Sequence, residues 1–271
     1  MKRLLRIQGM PRSTFYHNTA TTRPDKWALE RREVIRIYRE NKGRYGYRRI
    51  TGEMRNRGYV INHKTVRKLM KEAGVICRVR MKKYRSYKGE VGKIAPNMLE
   101  RRFRASVPLQ KLVTDVTEFS LFGEKLYLSP VLDLYNGEIL SYTICKHPVL
   151  DMVLDMARRL IGKVGSDTSA ILHSDQGFQY QHRRYQELLA GNGLVQSMSR
   201  KGNCLDNSVM ENFFGILKSE LLYLQDFTSM EHFQLELRRY IKYYNERRIK
   251  MGLNGKSPKT YRIDNGYAYD W

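Results

Sequence analysis

Asp115, Asp175 and Glu211 are the residues of this chain whose type and placement could do chemistry. Asp115 interrupts the strand-like run from Lys111 to Leu121, and Asp175 ends the run from Ala170 to Ser174. Glu211 falls in a helix-patterned stretch, separated from Asp175 by residues 176–210, which is 35 positions (210 − 176 + 1). A carboxylate in an apolar strand is costly unless something compensates it, and a bound cation is the usual compensation. Mg²⁺ is hard, prefers oxygen ligands and keeps several waters. Two such ions ~4 Å apart can activate an attacking oxygen and stabilise a leaving one during in-line displacement at phosphorus. Three carboxylates in a strongly basic chain therefore predict a site for two Mg²⁺ ions, with Mn²⁺ as a substitute, that cuts and joins nucleic acid. No persuasive Ser-His-Asp or Cys-His set competes, and no Walker-type phosphate loop is present.

The elements that must carry these residues follow from hydrophobic patterning. Lys111 to Leu121 and Glu124 to Tyr135 read as strands, Asn136-Gly137 is a strong hairpin turn, and Glu138 to Lys146 is a third strand. A helix over about Met152 to Val164 follows, then a strand, Ala170 to Ser174. A helix from His182 to Ala190, a strand from Leu194 to Met198 and a helix from Asn207 to Leu222 complete the order. This is an α/β pattern with a mixed five-stranded sheet, as in ribonuclease H-like folds, preceded by an all-α region. Carboxylates at strand ends, with one on a covering helix, can converge at one edge of such a sheet.

On the last helix Val209, Phe213, Ile216 and Leu217 form the expected buried stripe, and Glu211 points roughly opposite. Gly215 leaves that face uncrowded, and Lys218, seven residues after Glu211, is in line to counter a phosphate backbone. Alone, Glu211 and Lys218 would read as a solvated face; Asp115 and Asp175 make that the weaker reading. Asp133 is expected to bond the hairpin turn. Glu118 is expected off the Asp115 face, His173 to be structural, and Asp206 to start the helix.

Charge divides the chain. Lys plus Arg number 50 against 27 Asp plus Glu, a net +23. Residues 1–110 hold 30 basic and 8 acidic residues (+22), and residues 111–271 hold 20 and 19 (+1). A basic arm on a near-neutral domain is the footprint of a nucleic-acid protein. That reading stands ahead of a solvated, membrane-surface or ribosome-bound arm, because the basic residues interleave with helix periodicity. Asp25 to Asn41 reads as a helix with Trp27, Val34, Ile35 and Tyr38 on one side; Tyr47, Ile50 and Met54 mark a second. After the N-cap Asn62, Val66, Leu69, Met70 and Ala73 stripe a third, which Gly74 stops. Lys64, Arg67, Lys68 and Lys71 lie on its opposite face, and the second helix adds Arg48, Arg49, Arg55 and Arg57. Two helices joined by a short glycine-containing turn resemble a helix-turn-helix. Arg48, Arg49, Lys64, Arg67, Lys68 and Lys71 are expected to attract phosphates, while base readout by Lys64, Thr65 or Lys68 stays open. Lys82 and Lys83 belong to a basic stretch without clean period, expected to track a DNA backbone. The expected division is a helical DNA-binding region over 1–77, a basic linker over 78–107 and a catalytic core with a helical tail over 108–271. Cys77, Cys145 and Cys204 fit neither a zinc motif nor a disulfide framework. No apolar run approaches a membrane span and no signal-peptide pattern follows Met1, so a cytoplasmic protein is expected.

At these residues the chain resembles the DDE transposases of bacterial insertion sequences, relatives of retroviral integrases. More closely it resembles the downstream-frame protein of the two-frame, copy-out–paste-in family. The matching stretches are Thr114-Asp115-Val116-Thr117, His173-Ser174-Asp175-Gln176-Gly177, Ser199 to Cys204 with Asp206-Asn207-Ser208, and Glu211-Asn212-Phe213-Phe214 with Leu217-Lys218. Tyr45 to Ile50 and the tail residues Tyr244-Asn245, Arg248, Leu253 and Ser257-Pro258 extend the likeness over nearly the whole chain. Lys250 stands where many relatives have histidine, and keeps a cation there. The resemblance implies that Asp115, Asp175 and Glu211 bind Mg²⁺, and that a 3′-hydroxyl made at an element end attacks DNA. It further implies double-stranded DNA as partner, both terminal inverted repeats and target, and a homo-multimer on paired ends in the bacterial nucleoid. It places an upstream helix-turn-helix and leucine zipper in the other frame, so full activity is expected to need that protein or the frameshift fusion. A non-catalytic DNA-binding accessory or regulatory subunit, and a ribonuclease H-type nuclease, are the alternatives.

Overall fold

The computed structural model describes residues 25–79, 95–165, 169–200 and 204–268, together with Gly9, Pro11, Ser13 and Phe15. Lys82 and Lys83, and with them much of the expected basic linker, lie outside the described residues.

Three helices come first: α1 (Ala28–Glu40), α2 (Tyr47–Asn56) and α3 (His63–Glu72). Helix α3 begins where Asn62 Oδ1 accepts the Lys64 N–H (2.9 Å), and the chain leaves it through Gly74 at φ +65°, a conformation open to glycine without steric cost. Val34, Ile37, Ile50, Met54, Val66, Leu69 and Met70 fill a small core, with Ile37 rather than Ile35 buried beside Val34. Ile249, from the far end of the chain, completes that core. The Tyr45 hydroxyl accepts the Ile249 N–H (2.9 Å) and donates to Arg247 O (3.2 Å), so the helical unit is seated on the C-terminal tail.

The sheet contains β1 (Lys111–Thr114), β2 (Thr117–Leu121), β3 (Glu124–Asp133), β4 (Ile139–Cys145), β5 (Ile171–Ser174) and β6 (Val195–Met198). Strands β1 and β2 are the two halves of one expected strand. Both pair antiparallel with β3 in a continuous register, Thr114 opposite Val131 and Thr117 opposite Leu128, which places Asp115 opposite Pro130. Proline has no N–H to give a ladder, and the Pro130 carbonyl is taken by the Thr114 hydroxyl (2.8 Å). The ladder opens at Asp115 for that reason. Counted as one strand, the halves give a mixed five-stranded sheet in which β3 pairs antiparallel with β4, and β1, β5 and β6 run parallel.

Successive residues of a strand enter opposite layers. Val113, Leu132 and Ile139 pack under α6 (Ser208–Leu217) and α7 (Met230–Glu246). Leu112, Val131 and Leu140 pack under α4 (Leu150–Val164) and α5 (Arg183–Ala190). The helix expected to run to Leu222 changes character: beyond Leu217 it widens into a π turn over Lys218–Leu222, in which the Tyr223 N–H reaches Lys218 O (2.9 Å). Asp133 bonds the hairpin as expected, its Oδ1 accepting the Tyr135 N–H (2.9 Å), and its Oδ2 also fastens Leu109 N–H (2.9 Å). The last helix, α8 (Pro258–Asp264), is locked to this hairpin by a buried pair, Arg262 Nε to Glu138 Oε2 (2.8 Å).

Candidate active site

Strands β1 and β5 are parallel neighbours, with Val113 opposite His173, so their C-terminal ends deliver Asp115 and Asp175 to one edge of the sheet. Asp115 Oδ1 accepts the N–H of Val116 (2.7 Å) inside the ladder gap. Asp175 Oδ1 accepts the N–H of Gly177 (2.9 Å), in a loop closed by Tyr180 N–H and Gln181 N–H onto Gly177 O (3.0 and 3.3 Å). A Cβ at position 177 would stand 3.0 Å from Asp175 Oδ1, 3.1 Å from Gln179 Oε1 and 3.3 Å from Tyr180 Cδ2, so glycine is there for close approach. Glu211 lies in the first turn of α6, away from the buried Met210, Phe213, Phe214 and Leu217; Val209 and Ile216, expected in that stripe, are only half-buried. Gly215 leaves open space beside it, as expected.

Burial, then the charge of Asp175, push the Asp115 carboxyl well above the usual range; the Val116 N–H opposes this and the charge of Glu211 adds to it. Burial raises Asp175 against the bond from Gly177, and burial raises Glu211. These are carboxylates whose negative charge the protein under-compensates. All three donors are hard oxygens of the kind a divalent cation takes. Among the described residues, no three His, Cys, Asp or Glu side chains stand close enough to form a ready ligand set. Asp115 and Asp175 are the stronger electrostatic pair, and the charge of Glu211 acts on Asp115 more weakly.

The surroundings include residues that sequence reasoning missed. Tyr180 is buried edge-on against Tyr185 (ring centroids 5.5 Å apart), and after burial the charges of Asp115 and Asp175 raise its phenol further. Its only signal was an aromatic among polar neighbours. Asp206 does more than start the helix. Its buried carboxylate accepts Arg200 Nε (3.0 Å), Arg101 Nε (3.0 Å) and Asn97 Nδ2 (3.0 Å), and the bonds from Arg200 foremost hold it well below the usual range. His173 is structural, as expected: Nδ1 meets Ser197 Oγ (2.8 Å) and Nε2 meets Asp206 O (3.0 Å). Lys218 reaches over the Phe119 ring (5.6 Å) towards β2; burial lowers its pKa and the charge of Glu118 works against that.

Family models described as an integrase core domain match residues 105–204 and 211–265, and one described as an HTH-like domain matches residues 25–83. Over 260 residues the chain is 50% identical to a transposase of Escherichia coli (strain K12), InsK of insertion sequence element IS150, covering 96% of this chain and 92% of that one. The chain belongs to the insertion-sequence transposases. This transposase is also 36% identical over 257 residues to a transposase for insertion sequence element IS1353 of Shigella flexneri, covering 93% of this chain and 50% of that longer one. Among solved structures, the HTLV-2 integrase catalytic core domain in complex with magnesium matches at a TM-score of 0.47 and 17% identity, over 58% of this chain and 99% of that one. That likeness is too distant to carry residue roles.

In the transposase, α3 presents Lys64, Arg67, Lys68 and Lys71 outward, all exposed, with Lys68 Nζ 3.8 Å from Glu72. Arg48 is exposed, its guanidinium 5.7 Å from the Tyr47 ring. Arg49 does not join them: its Nη1 donates to the buried Glu220 Oε1 (3.1 Å), 171 residues further along the chain. Among the described residues, no helix is long and apolar enough to cross a membrane.

Proposed function

We propose that this transposase performs the DNA cutting and joining of its element with Asp115, Asp175 and Glu211 as the reacting centre. The observation that carries this is the placement of the carboxylates: parallel β1 and β5 end in Asp115 and Asp175 at one edge of the sheet, and the charges of Asp175 and Glu211 both act on Asp115. Bound between them, two Mg²⁺ ions, or Mn²⁺ in their place, would supply positive charge to the attacking and leaving oxygens. Asp115 and Asp175 would hold these ions from the sheet edge, and Glu211 from α6. Water attacks the phosphorus at an element end and frees a 3′-hydroxyl, which then attacks a target phosphodiester and displaces its 3′-oxygen. Lys64, Arg67, Lys68 and Lys71, with Arg48, Lys218 and the linker residues Lys82 and Lys83, would hold the duplex by its phosphates. On this reading residues 1–77 grip DNA, 78–107 track it and 108–271 react, in a homo-multimer on paired ends within the bacterial nucleoid. The upstream-frame protein or a frameshift fusion would complete the complex, and the IS1353 relative, twice as long as the part it shares, is in keeping with a fusion.

The second reading, a non-catalytic DNA-binding subunit, is favoured by one observation: the three carboxylates are not gathered into a ready cage. A joining assay on DNA carrying the element ends decides between them, run in Mg²⁺ or EDTA, with and without the upstream-frame protein. Metal-dependent 3′-end joining that disappears in Asp115→Asn, Asp175→Asn and Glu211→Gln supports catalysis. Binding without chemistry under every pairing moves the chain to the accessory role.

A further inference from the structure

Glu220 lies on the π turn that continues the Glu211 helix, and is nearly fully buried. Its Oε2 accepts Arg248 Nε (2.8 Å) and the Tyr240 hydroxyl (3.0 Å), and its Oε1 accepts Arg248 Nη2 (2.7 Å) and Arg49 Nη1 (3.1 Å). Its backbone carbonyl accepts Arg44 Nε (3.0 Å), and that guanidinium stacks over Tyr243 (4.7 Å) and Tyr240 (5.2 Å). Burial would raise the Glu220 carboxyl, but the bonds and charge of Arg248, with Arg49 and Tyr240, outweigh it and the net direction is down. Two of the arginines at this residue therefore come from the helical DNA-binding half, and the other from the tail.

Residues 208–222 form one continuous helical rod. Glu211 and Glu220 are nine residues apart, which is about 13 Å along the axis. The other end of the rod is pinned at Asp206 by Arg200 and Arg101. On a rod held at that end, a shift at Glu220 would tilt it and carry Glu211 relative to Asp115 and Asp175. A π turn is a local departure that tertiary contacts must hold, and such turns recur at functional sites. Arg248 alone already neutralises Glu220 in a bidentate fork, so a second guanidinium there adds desolvation cost for little extra pairing. What Arg49 adds, beside Arg44 at the Glu220 carbonyl, is a link from the DNA-binding helices to the Glu220 carboxylate itself.

We propose that Arg49 is a positioning residue, which couples the seat of the DNA-binding helices to the placement of Glu211. This rests on the reading of Asp115, Asp175 and Glu211 as the reacting centre. The test uses the full chain with DNA carrying the element ends, comparing wild type with Arg49→Met and Arg49→Lys. Because Glu220 keeps its Arg248 fork, Arg49→Met should hold its unfolding temperature within a few degrees and its element-end affinity within about twofold. Its joining rate at saturating DNA should fall about tenfold and its half-saturating Mg²⁺ concentration should rise several-fold, as expected of a displaced third ligand. Arg49→Lys, able to reach one oxygen, should recover part of both. Weakened DNA binding with a salt slope reduced by about one, and wild-type joining once DNA is saturating, would make Arg49 a phosphate contact and overturn the proposal. So would a fall in unfolding temperature of more than ten degrees or so, which would make it a core ion pair. Absence of joining by wild type in any metal and pairing would overturn the underlying reading, and this one with it.

Discussion

Gly177→Ala should slow DNA joining while leaving the fold nearly intact. The added methyl carbon would meet Asp175 Oδ1 at 3.0 Å, Gln179 Oε1 at 3.1 Å and Tyr180 Cδ2 at 3.3 Å, where ordinary contact begins at 3.4 Å. The backbone cannot retreat easily: the Gly177 N–H is bonded to Asp175 and its carbonyl takes two N–H groups. Gln179 is anchored as well, its Nε2 donating to Pro148 O (2.9 Å). The displacement therefore falls on the Asp175 carboxylate, by about 0.4 Å. Reacting groups must be held within about 0.5 Å, and a misplacement of about 1 Å costs on the order of 10²-fold, so a loss of roughly five- to tenfold in rate is expected. Overpacking at one methyl should cost about 1 kcal/mol of stability, or a few degrees in unfolding temperature. The assay is single-turnover joining of a pre-cut element end at saturating DNA in Mg²⁺, with thermal unfolding alongside. Joining at the wild-type rate would refute the idea that this loop fixes a reacting carboxylate.

Two further outcomes follow from buried charge. Asp115 has its pKa raised by burial and by Asp175, so its favourable contribution is present below the unfolded value of 3.8 and is lost as pH rises through the folded value. Asp115→Asn should then raise the unfolding temperature of the metal-free protein at pH 7–8 while abolishing the stabilisation that Mg²⁺ gives wild type; a less stable variant in EDTA would count against it. Lys250 is buried at the hairpin, donating to Asn136 O and Gly137 O (3.2 Å each), and burial pushes its pKa down to about 7. A depressed lysine gives stability above its unfolded 10.5 that drains away as pH falls through about 7. Between pH 7 and 9 wild type should gain roughly 2 kcal/mol in denaturant unfolding, a rise missing from Lys250→Met, and equal slopes would exclude it.

What was legible in the sequence was local. Strand alternation, the Asn62 cap and the Asn136-Gly137 turn depend on residues within a few positions, and all are found. Asp115 and Asp175 were also readable, since a carboxylate in an apolar run is itself the anomaly. The break in the first strand was not foreseen, although Pro130 is plain to see. Which residue faces Asp115 depends on the register set by the β2–β3 hairpin, and one slip would have moved the proline elsewhere. The π turn at Lys218–Leu222 and the role of Glu220 were hidden for a similar reason, because their partners Arg44, Arg49 and Arg248 are distant in sequence. A glutamate in a helix pattern reads as solvated until the buried arginine is found.

The charge count was informative about the partner and misleading about the residues. Residues 1–110 carry +22, yet several of their arginines serve the protein itself. Arg57 binds Glu33, Glu40 and Glu53, Arg31 binds Asp25 and Glu72, and Arg44 and Arg49 meet at Glu220. These paired cations are arginines, with Lys42 on Glu236 the counter-example, whereas three of the four exposed on α3 are lysines. The guanidinium is planar, weakly hydrated and suited to multidentate buried pairing; the ammonium is a strongly hydrated point charge that is better left at the surface. Tracing each cation to its partner assigns Arg49 to architecture and leaves the exposed Arg48 and the basic face of α3 as the candidates for phosphate contact. Which cations face outward is decided by the partners the fold offers them, as the exposed Arg48 and Arg67 and the Glu236-bound Lys42 show, and net charge alone cannot register it.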